Sequence, residues 1–330
     1  MTKISKKLKV AVLMGGPSAE REVSLISGKA VFDNLNREKY SPALVEMTGD
    51  GNFFVFEKKR RIKFNFLGLV KSKFDAVFIA MHGTPGEDGG IQGLLETLGV
   101  KYTGPGLLAS AVAMNKVLAG QIYLANGLPY PDFVHFKKDG WKRQADKIMN
   151  EAISKLGFPM VVKPVDQGSA VGVSIVKSHS DLEKAINKTI KAFPWLMAQK
   201  FIKGQEATCG VLEQNGEAKA LPPTHILPNL GDFYDYKSKY AAGGSTHICP
   251  ADFAPEVNGQ IQKLALMAHR VLGCRGMSRT DVFVSDNTKL YILETNTIPG
   301  MTPTSLFPEA AAKAGIDFSR MLDYIIGAGL

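Results

Sequence analysis

Toward the carboxyl end of the chain, Arg279, Asp281, Glu294 and Asn296 combine types and spacing that suit hard-oxygen chemistry. They lie in RTDVFVSDNTKLYILETN, two strand-like runs joined by a turn within 285–289. Side chains two apart on a strand share a face, so Glu294 and Asn296 aim together, as do Arg279 and Asp281. A two-residue loop at 287–288, or a four-residue loop in the same register, sets Asp281 directly across from Glu294. Two adjacent carboxylates repel each other unless a cation lies between them. Oxygen ligands with room for phosphate oxygens suit Mg²⁺ or Mn²⁺ better than zinc, which favours His and Cys. The competing reading is a strand that simply reaches solvent, with an ion cluster around Arg279 and with Asn296 and Pro299-Gly300 as turn residues.

A divalent metal held by few carboxylates usually serves the phosphates of a nucleotide. The middle of the chain offers the complement: PMVVKP and VSIVKS flank the loop DQGSAVG, 166–172. Its glycines let backbone N–H groups approach an anion, and Lys163 and Lys116 can neutralise phosphate charge. The loop is not a Walker A motif. Alone it reads equally as a plain hairpin turn; joined to the carboxylate pair it points to ATP.

The positioning elements follow from periodicity. KVAVLMGG (9–16) is an apolar run ending in glycines, and the segment after it reads as a helix with acidic residues in its first turn. FDAVFIAMHG (74–83) repeats the pattern. Such βα alternation predicts an open parallel sheet whose ligands gather at the carboxyl ends of the strands, where Ser18, Glu20, His82 and Glu87 stand. The first turn lacks G-x-G-x-x-G, which argues against a nicotinamide enzyme. A linker at 103–110 leads to a helix bearing Lys116, then to helical stretches as far as LGFP, 156–159. An antiparallel hairpin around the glycine loop, a charged helix and WLMAQKFI (195–202) come next. A long polar loop spans 222–250, an amphipathic helix near 258–272 closes at Gly273, and the carboxylate-bearing hairpin precedes a helical tail.

Bulk properties narrow the partners. The 330 residues carry a formal net charge of +9, but the lysines are scattered, and the dense run EKKRRIK (57–63) lies outside the motifs. We read the excess as solvated surface, in part an attraction for anionic substrate, and expect no nucleic-acid binding because interleaved aromatic and basic residues are confined to the 222–250 loop. No apolar run approaches the roughly 20 residues of a membrane span, and the start of the chain does not resemble a secretory signal. A cytoplasmic protein without membrane association is expected. Cys209, Cys249 and Cys274 fit neither a disulfide framework nor zinc-ligand spacing, so buried reduced thiols are expected.

Seven segments then carry a resemblance. GGPSAEREVS (15–24), MHGTPGEDGGIQG (81–93), YTGPGLLASAVAMNK (102–116), KPVDQGSAVGVS (163–174), FYDYKSKY (233–240), GMSRTDV (276–282) and LETNTIPGMTPTSL (293–306) match, in order and over nearly the whole chain, the motifs of D-alanine–D-alanine ligases of the ATP-grasp superfamily. The resemblance implies an α/β (α+β) chain in three parts. These are an N-terminal βα substrate domain at 1–104, a central ATP-grasp subdomain with the glycine-rich flap at 105–198, and a C-terminal subdomain with lid loop and metal site at 199–330. It implies ATP as substrate, two Mg²⁺ or Mn²⁺ ions on Asp281, Glu294 and Asn296, and a homodimer, and it leaves open a monovalent cation.

By the same resemblance, Lys116 and Lys163 contact phosphate under a flap that includes Gln167, Gly168 and Ser169. Adenine lies near Lys200, Phe201 and Ile202, with Glu206 on the ribose and Gln199 at the amino group, where the family commonly has Glu. Glu20 holds the ammonium of the first D-alanine, with His82 close by. Ser169 and Tyr240 form a hydrogen-bonded set with Glu20, while Lys239 reaches the site from the lid. Arg279 and the Gly300 N–H meet the oxyanion, and Ser305 and Leu306 receive the second carboxylate. Ala170 replaces a serine frequent in the family, and Thr295 and Ile298 replace the commoner Ala and Ser. Alternatives of the same class join D-alanine to D-lactate or D-serine, and Tyr240 and Leu306 favour D-alanine over these. Another ATP-grasp carboxylate–amine ligase is disfavoured by GGPSAEREVS, which is particular to the D-alanine group.

Overall fold

The structure is a computed structural model that describes residues 6–58, 60–168, 170–229, 244–286, 288–302 and 304–330. Three sheets organise it. The first is built from β1 (Leu8–Gly15), β2 (Tyr40–Met47), β3 (Phe53–Glu57), β4 (Arg60–Lys63), β5 (Ala76–Ile79) and β6 (Lys101–Tyr102), in spatial order β4-β3-β2-β1-β5-β6. Helices α1 (Arg21–Asn34), α2 (Phe66–Lys73) and α3 (Gly90–Thr97) connect them. β1 pairs in parallel with β2 and β5, and β5 with β6, as the βα pattern predicts. Val10 to Leu13 are completely buried, the signature of a parallel strand covered on both faces. The sequence reading did not foresee the antiparallel hairpin β3–β4 at the sheet edge. Its basic run stays exposed, with the Arg61 guanidinium 3.7 Å from the centre of the Phe54 ring, so the charges guard an open edge.

The second sheet has the order β7-β10-β8-β9, from β7 (Phe133–Lys137), β8 (Met160–Pro164), β9 (Ser174–Val176) and β10 (Trp195–Lys200). α4 (Leu107–Met114) and α5 (Lys116–Ala125) pack toward the third sheet, while α6 (Lys138–Leu156) and α7 (His179–Thr189) pack on this one. β8 and β9 form the expected antiparallel hairpin around the glycine loop. β7 interrupts the helical stretches expected up to LGFP, a strand the sequence reading did not foresee. Pro129 and Pro131 break the helical run, and FVHFK then alternates buried and exposed in strand fashion.

The third sheet comprises β11 (Gly204–Gln214), β12 (Glu217–Ala220), β13 (Thr224–Pro228), β14 (Ser245–Ile248), β15 (Met277–Ser285) and β16 (Leu290–Asn296). Its order is β14-β13-β11-β15-β16, and β12 pairs with β11. The 222–250 span is therefore not a loop throughout: its two ends pair as β13 and β14. α8 (Pro255–Val271) packs beneath this sheet and ends before Gly273, whose φ of +71° suits a helix terminator. α9 (Leu306–Lys313) and α10 (Phe318–Gly329) return to the first sheet, where Phe307, Met321, Ile325 and Ile326 join the core of Val12 and Phe78. The three cysteines are unpaired; Cys209 and Cys249 are buried, and Cys274 is half-buried rather than buried as expected. Among the described residues no single helix is long and apolar enough to cross a membrane.

Candidate active site

Asp281 does face Glu294, by a route the sequence reading did not anticipate. Next to the turn, Val284 pairs with Leu290, Phe283 with Tyr291 and Val282 with Ile292. Continued, that ladder would set Asp281 against Leu293. A bulge at this point gives β16 one extra residue, so that Asp281 meets Glu294 and Arg279 meets Asn296. Leu293 and Glu294 are both half-buried, which breaks the in–out alternation of the preceding residues. A bulge re-aims side chains in this way.

The Asp281 carboxylate is buried and fully engaged. Its Oδ1 accepts from Arg279 Nε at 2.9 Å and from Thr208 Oγ1 at 2.5 Å. Its Oδ2 accepts from Arg279 Nη2 at 2.9 Å and from Asn296 Nδ2 at 3.1 Å. Thr208 is its partner across the ladder on β11. Glu294 Oε2 lies 3.1 Å from Lys116 Nζ. No group of three or more His, Cys, Asp or Glu suited to a metal gathers among the described residues. Glu294, the Asn296 amide oxygen and Asp281, once it exchanges a donated hydrogen bond for the ion, are the donor types of a hard cation that takes its remaining oxygens from phosphate and water.

A cleft of about 160 Å³ opens between the second and third sheets, lined by Lys116, Lys163, Gln167, Gln199, Lys200, Phe201, Ile202, Glu206, Leu293 and Glu294. Burial, reinforced by the neighbouring Lys116 charge, lowers the Lys163 ammonium to about 7. Lys116 opens α5, and its Nζ donates to the Gln167 carbonyl at 2.7 Å. The glycine turn closes with the Val171 N–H on the Gly168 carbonyl at 3.1 Å. Gly172 is required there: its φ is +73°, and a Cβ would lie 2.9 Å from Pro164 Cγ.

A second cleft, of about 560 Å³, adjoins the first and is lined by Glu20, His82, Glu87, Gly168, Arg279, Gly300, Ser305 and Leu306. Glu20 immediately precedes α1, and a Cβ on Gly168 would be 3.9 Å from Glu20 Oε2, so flap and carboxylate are neighbours. His82 is tied at both nitrogens. Nδ1 donates to the Ile298 carbonyl at 3.2 Å, which leaves Nε2 to accept from Ser27 Oγ at 2.9 Å. Burial lowers its pKa, so the ring is a neutral strut rather than a charge. Glu87 accepts from the Gly83 N–H at 2.8 Å, and burial, then the Glu20 charge, raises its carboxyl to about 8. A Cβ on Gly300 would strike Ser305 Oγ at 2.7 Å, so only glycine lets these two meet. Ser305 Oγ accepts from the Thr302 N–H at 3.1 Å just before α9.

Of the sequence-derived candidates, Ser169, Lys239 and Tyr240 lie outside the described residues. The others gather around the two clefts, with Asp281 at the nucleotide cleft and Asn296 at the larger one, except Ser18, which lines neither and donates to the His82 carbonyl at 2.6 Å. Glu87, at a strand end, is a wall residue of the larger cleft that the resemblance does not assign; its signal is a carboxylate within a glycine-rich turn at the end of a buried strand. Thr295 and Ile298, two departures from the family pattern, both make contacts inside the fold. Thr295 Oγ1 accepts from Tyr123 Oη at 2.8 Å and meets Thr280 Oγ1 at 3.0 Å, while Ile298 is buried and offers its carbonyl to His82.

A cleft between two antiparallel sheets, beside a parallel βα sheet that lends its strand ends to an adjoining cleft, defines an ATP-grasp fold and an ATP-dependent ligase. Family models for the D-ala D-ala ligase N-terminus match residues 9–68 and 66–105, and the model for the C-terminus matches 122–327. The chain belongs to the D-alanine–D-alanine ligase family. It is 43% identical over 327 residues to the D-alanine–D-alanine ligase of Syntrophobacter fumaroxidans, covering 99% of each chain. It is 42% identical to that of Pelotomaculum thermopropionicum, covering 97% of this chain and 96% of the relative. The solved D-alanine–D-alanine ligase from Coxiella burnetii superposes with a TM-score of 0.81 at 29% identity, over 98% of this chain and 94% of that one. VanG D-Ala:D-Ser ligase from Enterococcus faecalis superposes with a TM-score of 0.83 at 30% identity, over 98% of this chain and all of the other.

Proposed function

We propose that the chain joins two D-alanine molecules at the expense of ATP, giving D-alanyl-D-alanine, ADP and phosphate through a D-alanyl phosphate, and so supplies the dipeptide for peptidoglycan precursors. The observation that carries the reading is that Glu294 and Lys116 line both clefts. A γ-phosphoryl group held from one side is then within reach of a carboxylate held from the other.

Asp281, Glu294 and Asn296 would hold two Mg²⁺ or Mn²⁺ ions, which supply positive charge against the phosphate oxygens. Lys116 and Lys163 add charge of the same sign, and the flap N–H groups cover the phosphates. Gln199 accepts from the adenine amino group, the backbone of Lys200 to Ile202 lines the base, and Glu206 takes the ribose. Glu20 fixes the first D-alanine by its ammonium, with Glu87 adding acidity behind it. The D-alanine carboxylate oxygen attacks the γ-phosphorus and ADP leaves. The amine of the second D-alanine, oriented by its carboxylate at Ser305, Leu306 and the start of α9, then attacks the acyl carbon. Arg279 and the Gly300 N–H stabilise the oxyanion before phosphate departs with the former carboxylate oxygen.

The three-part division at 1–104, 105–198 and 199–330, a homodimeric state and a cytoplasmic location belong to the same proposal. Phosphate release with ATP, Mg²⁺ and a panel of D-alanine, D-lactate, D-serine and L-alanine tests it. D-Alanine alone should support turnover; release with D-alanine only when D-serine or D-lactate is added would reassign the acceptor.

A further inference from the structure

We infer that His247 serves the acceptor half of the reaction by holding the Glu309 carboxylate out of the larger cleft, so that the carboxylate of the second amino acid meets the start of α9 without a rival. The inference rests on the proposed reading of Ser305, Leu306 and that helix end as the acceptor subsite. A helix N-terminus attracts anions through its unsatisfied N–H groups and the positive end of its dipole. In α9 the Ser305 side chain does not cap the helix, and Pro308 brings no N–H, so the N–H groups of Leu306 and Phe307 are what the first turn has to offer a ligand. The same turn carries Glu309, whose own N–H donates to the Ser305 carbonyl at 3.1 Å. A carboxylate in that turn steadies the helix, but it competes with a carboxylate arriving from the cleft and repels it.

His247 stands between the two. It lies on β14 directly across from Ile226 of β13, and such a pair shares one face of the sheet. Ile226 packs against Leu306 in a small apolar cluster, so this face is the one laid over the first turn of α9. His247 lines the larger cleft together with Thr302, Thr304, Ser305 and Leu306, whereas Glu309 does not line it. The ring's Nδ1 is 3.2 Å from Glu309 Oε2, and its Nε2 is 3.0 Å from Ser245 Oγ. A carboxylate can only accept, so Nδ1 carries a proton and donates it, and Nε2 is engaged by Ser245. With both nitrogens committed, the ring has no polar atom to spend on the ligand and acts through Glu309. The side chains are 21% and 31% exposed, so the contact is screened less than one in open solvent. His247 is thus a positioning residue: it occupies the Glu309 carboxylate and shows the cleft an imidazole ring in its place.

The test follows phosphate release by the full-length enzyme at rising D-alanine and separates the KM values of the two subsites. His247→Phe keeps a ring and removes the donor, and it should raise the acceptor KM about fivefold, the upper end for one partly exposed ion pair. The KM for the first D-alanine and the KM for ATP should not change. His247→Asn, too short to reach Glu309, carries the same expectation if the phenyl ring is not tolerated. His247→Gln can still donate to Glu309 and should stay close to the unaltered enzyme. Glu309→Gln removes the rival charge, and adding it to His247→Phe should bring the acceptor KM back down, whereas a merely structural role for His247 would give a further loss. An unchanged acceptor KM in His247→Phe, the same rise in the Glu309→Gln background, a rise in His247→Gln as large as in His247→Phe, or equal rises in all three KM values would each overturn the inference while leaving the ligase reading in place. An unaltered protein that makes no dipeptide from D-alanine would overturn the proposed function and this inference with it.

Discussion

The two clefts share a wall at Glu294 and Lys116, yet burial acts on them with opposite sign. In the nucleotide cleft it weakens a cation, bringing Lys163 down to about 7. In the amino-acid cleft it weakens an anion, bringing Glu87 up to about 8. Desolvation disfavours the charged form in both cases, so a ligand of opposite sign favours recharging each of these two groups. Phosphate would recharge the lysine, and the ammonium of an amino acid would recharge the carboxyl. The contrast is confined to these two groups: Lys116 and Glu294 pair at 3.1 Å on the shared wall, and Arg279 pairs with Asp281 beside it.

Substitutions can break or sharpen that contrast. The largest effect is expected at the shared wall. Glu294→Gln should lower ligation by roughly 10³-fold, since preorganised charge is commonly the largest single contribution to catalysis. Circular dichroism should show an intact fold, and near-normal phosphate release would contradict the site. Next come the two cleft-specific variants. Lys163→Met should weaken ATP binding by about 10²-fold with little change in the KM for D-alanine, whereas Glu87→Gln should raise that KM about tenfold with ATP binding unchanged. Equal losses for both ligands in either variant would erase the distinction between the clefts. Deleting Leu293 removes the bulge but keeps Glu294 opposite Asp281. It should raise the KM for ATP several-fold, because a half-buried wall residue of the nucleotide cleft is lost.

The smallest effect is on stability without ligands. Lys163 has a folded pKa of about 7 against an ordinary 10.5, so between those values the unfolded chain holds a proton that the folded chain lacks. Its contribution is present above 10.5 and is lost as pH falls through 7. Glu87, at about 8 against 4.5, contributes fully below 4.5 and loses that contribution as pH rises through 8. Urea midpoints should therefore pass through a minimum between pH 7 and 8. Lys163→Met should flatten the alkaline arm, and Glu87→Gln the acid arm.

The contrast also shows what the sequence could disclose. The buried parallel strand at 10–13, the glycine hairpin and the facing carboxylates were all legible, because each rests on local periodicity and short-range pairing. The bulge was not. A one-residue insertion in the ladder leaves no mark on composition, and the Asp281–Glu294 pairing was reached by assuming a turn register that is off by one. β7, the β3–β4 edge and the β13–β14 pair went unseen because strands of four or five residues carry little periodic signal. The shifts at Lys163 and Glu87 depend on burial by residues distant in the chain.

The central claim is that a phosphoryl group from the nucleotide cleft is placed on a carboxylate held in the adjoining one. D-Alanine labelled with ¹⁸O in its carboxylate tests it directly. If an acyl phosphate forms, one labelled oxygen leaves the amino acid with the phosphate, and the released inorganic phosphate carries ¹⁸O in step with dipeptide formed. Phosphate that appears at the same rate without label would mean that water, and not the carboxylate, takes the phosphoryl group, and would contradict the account.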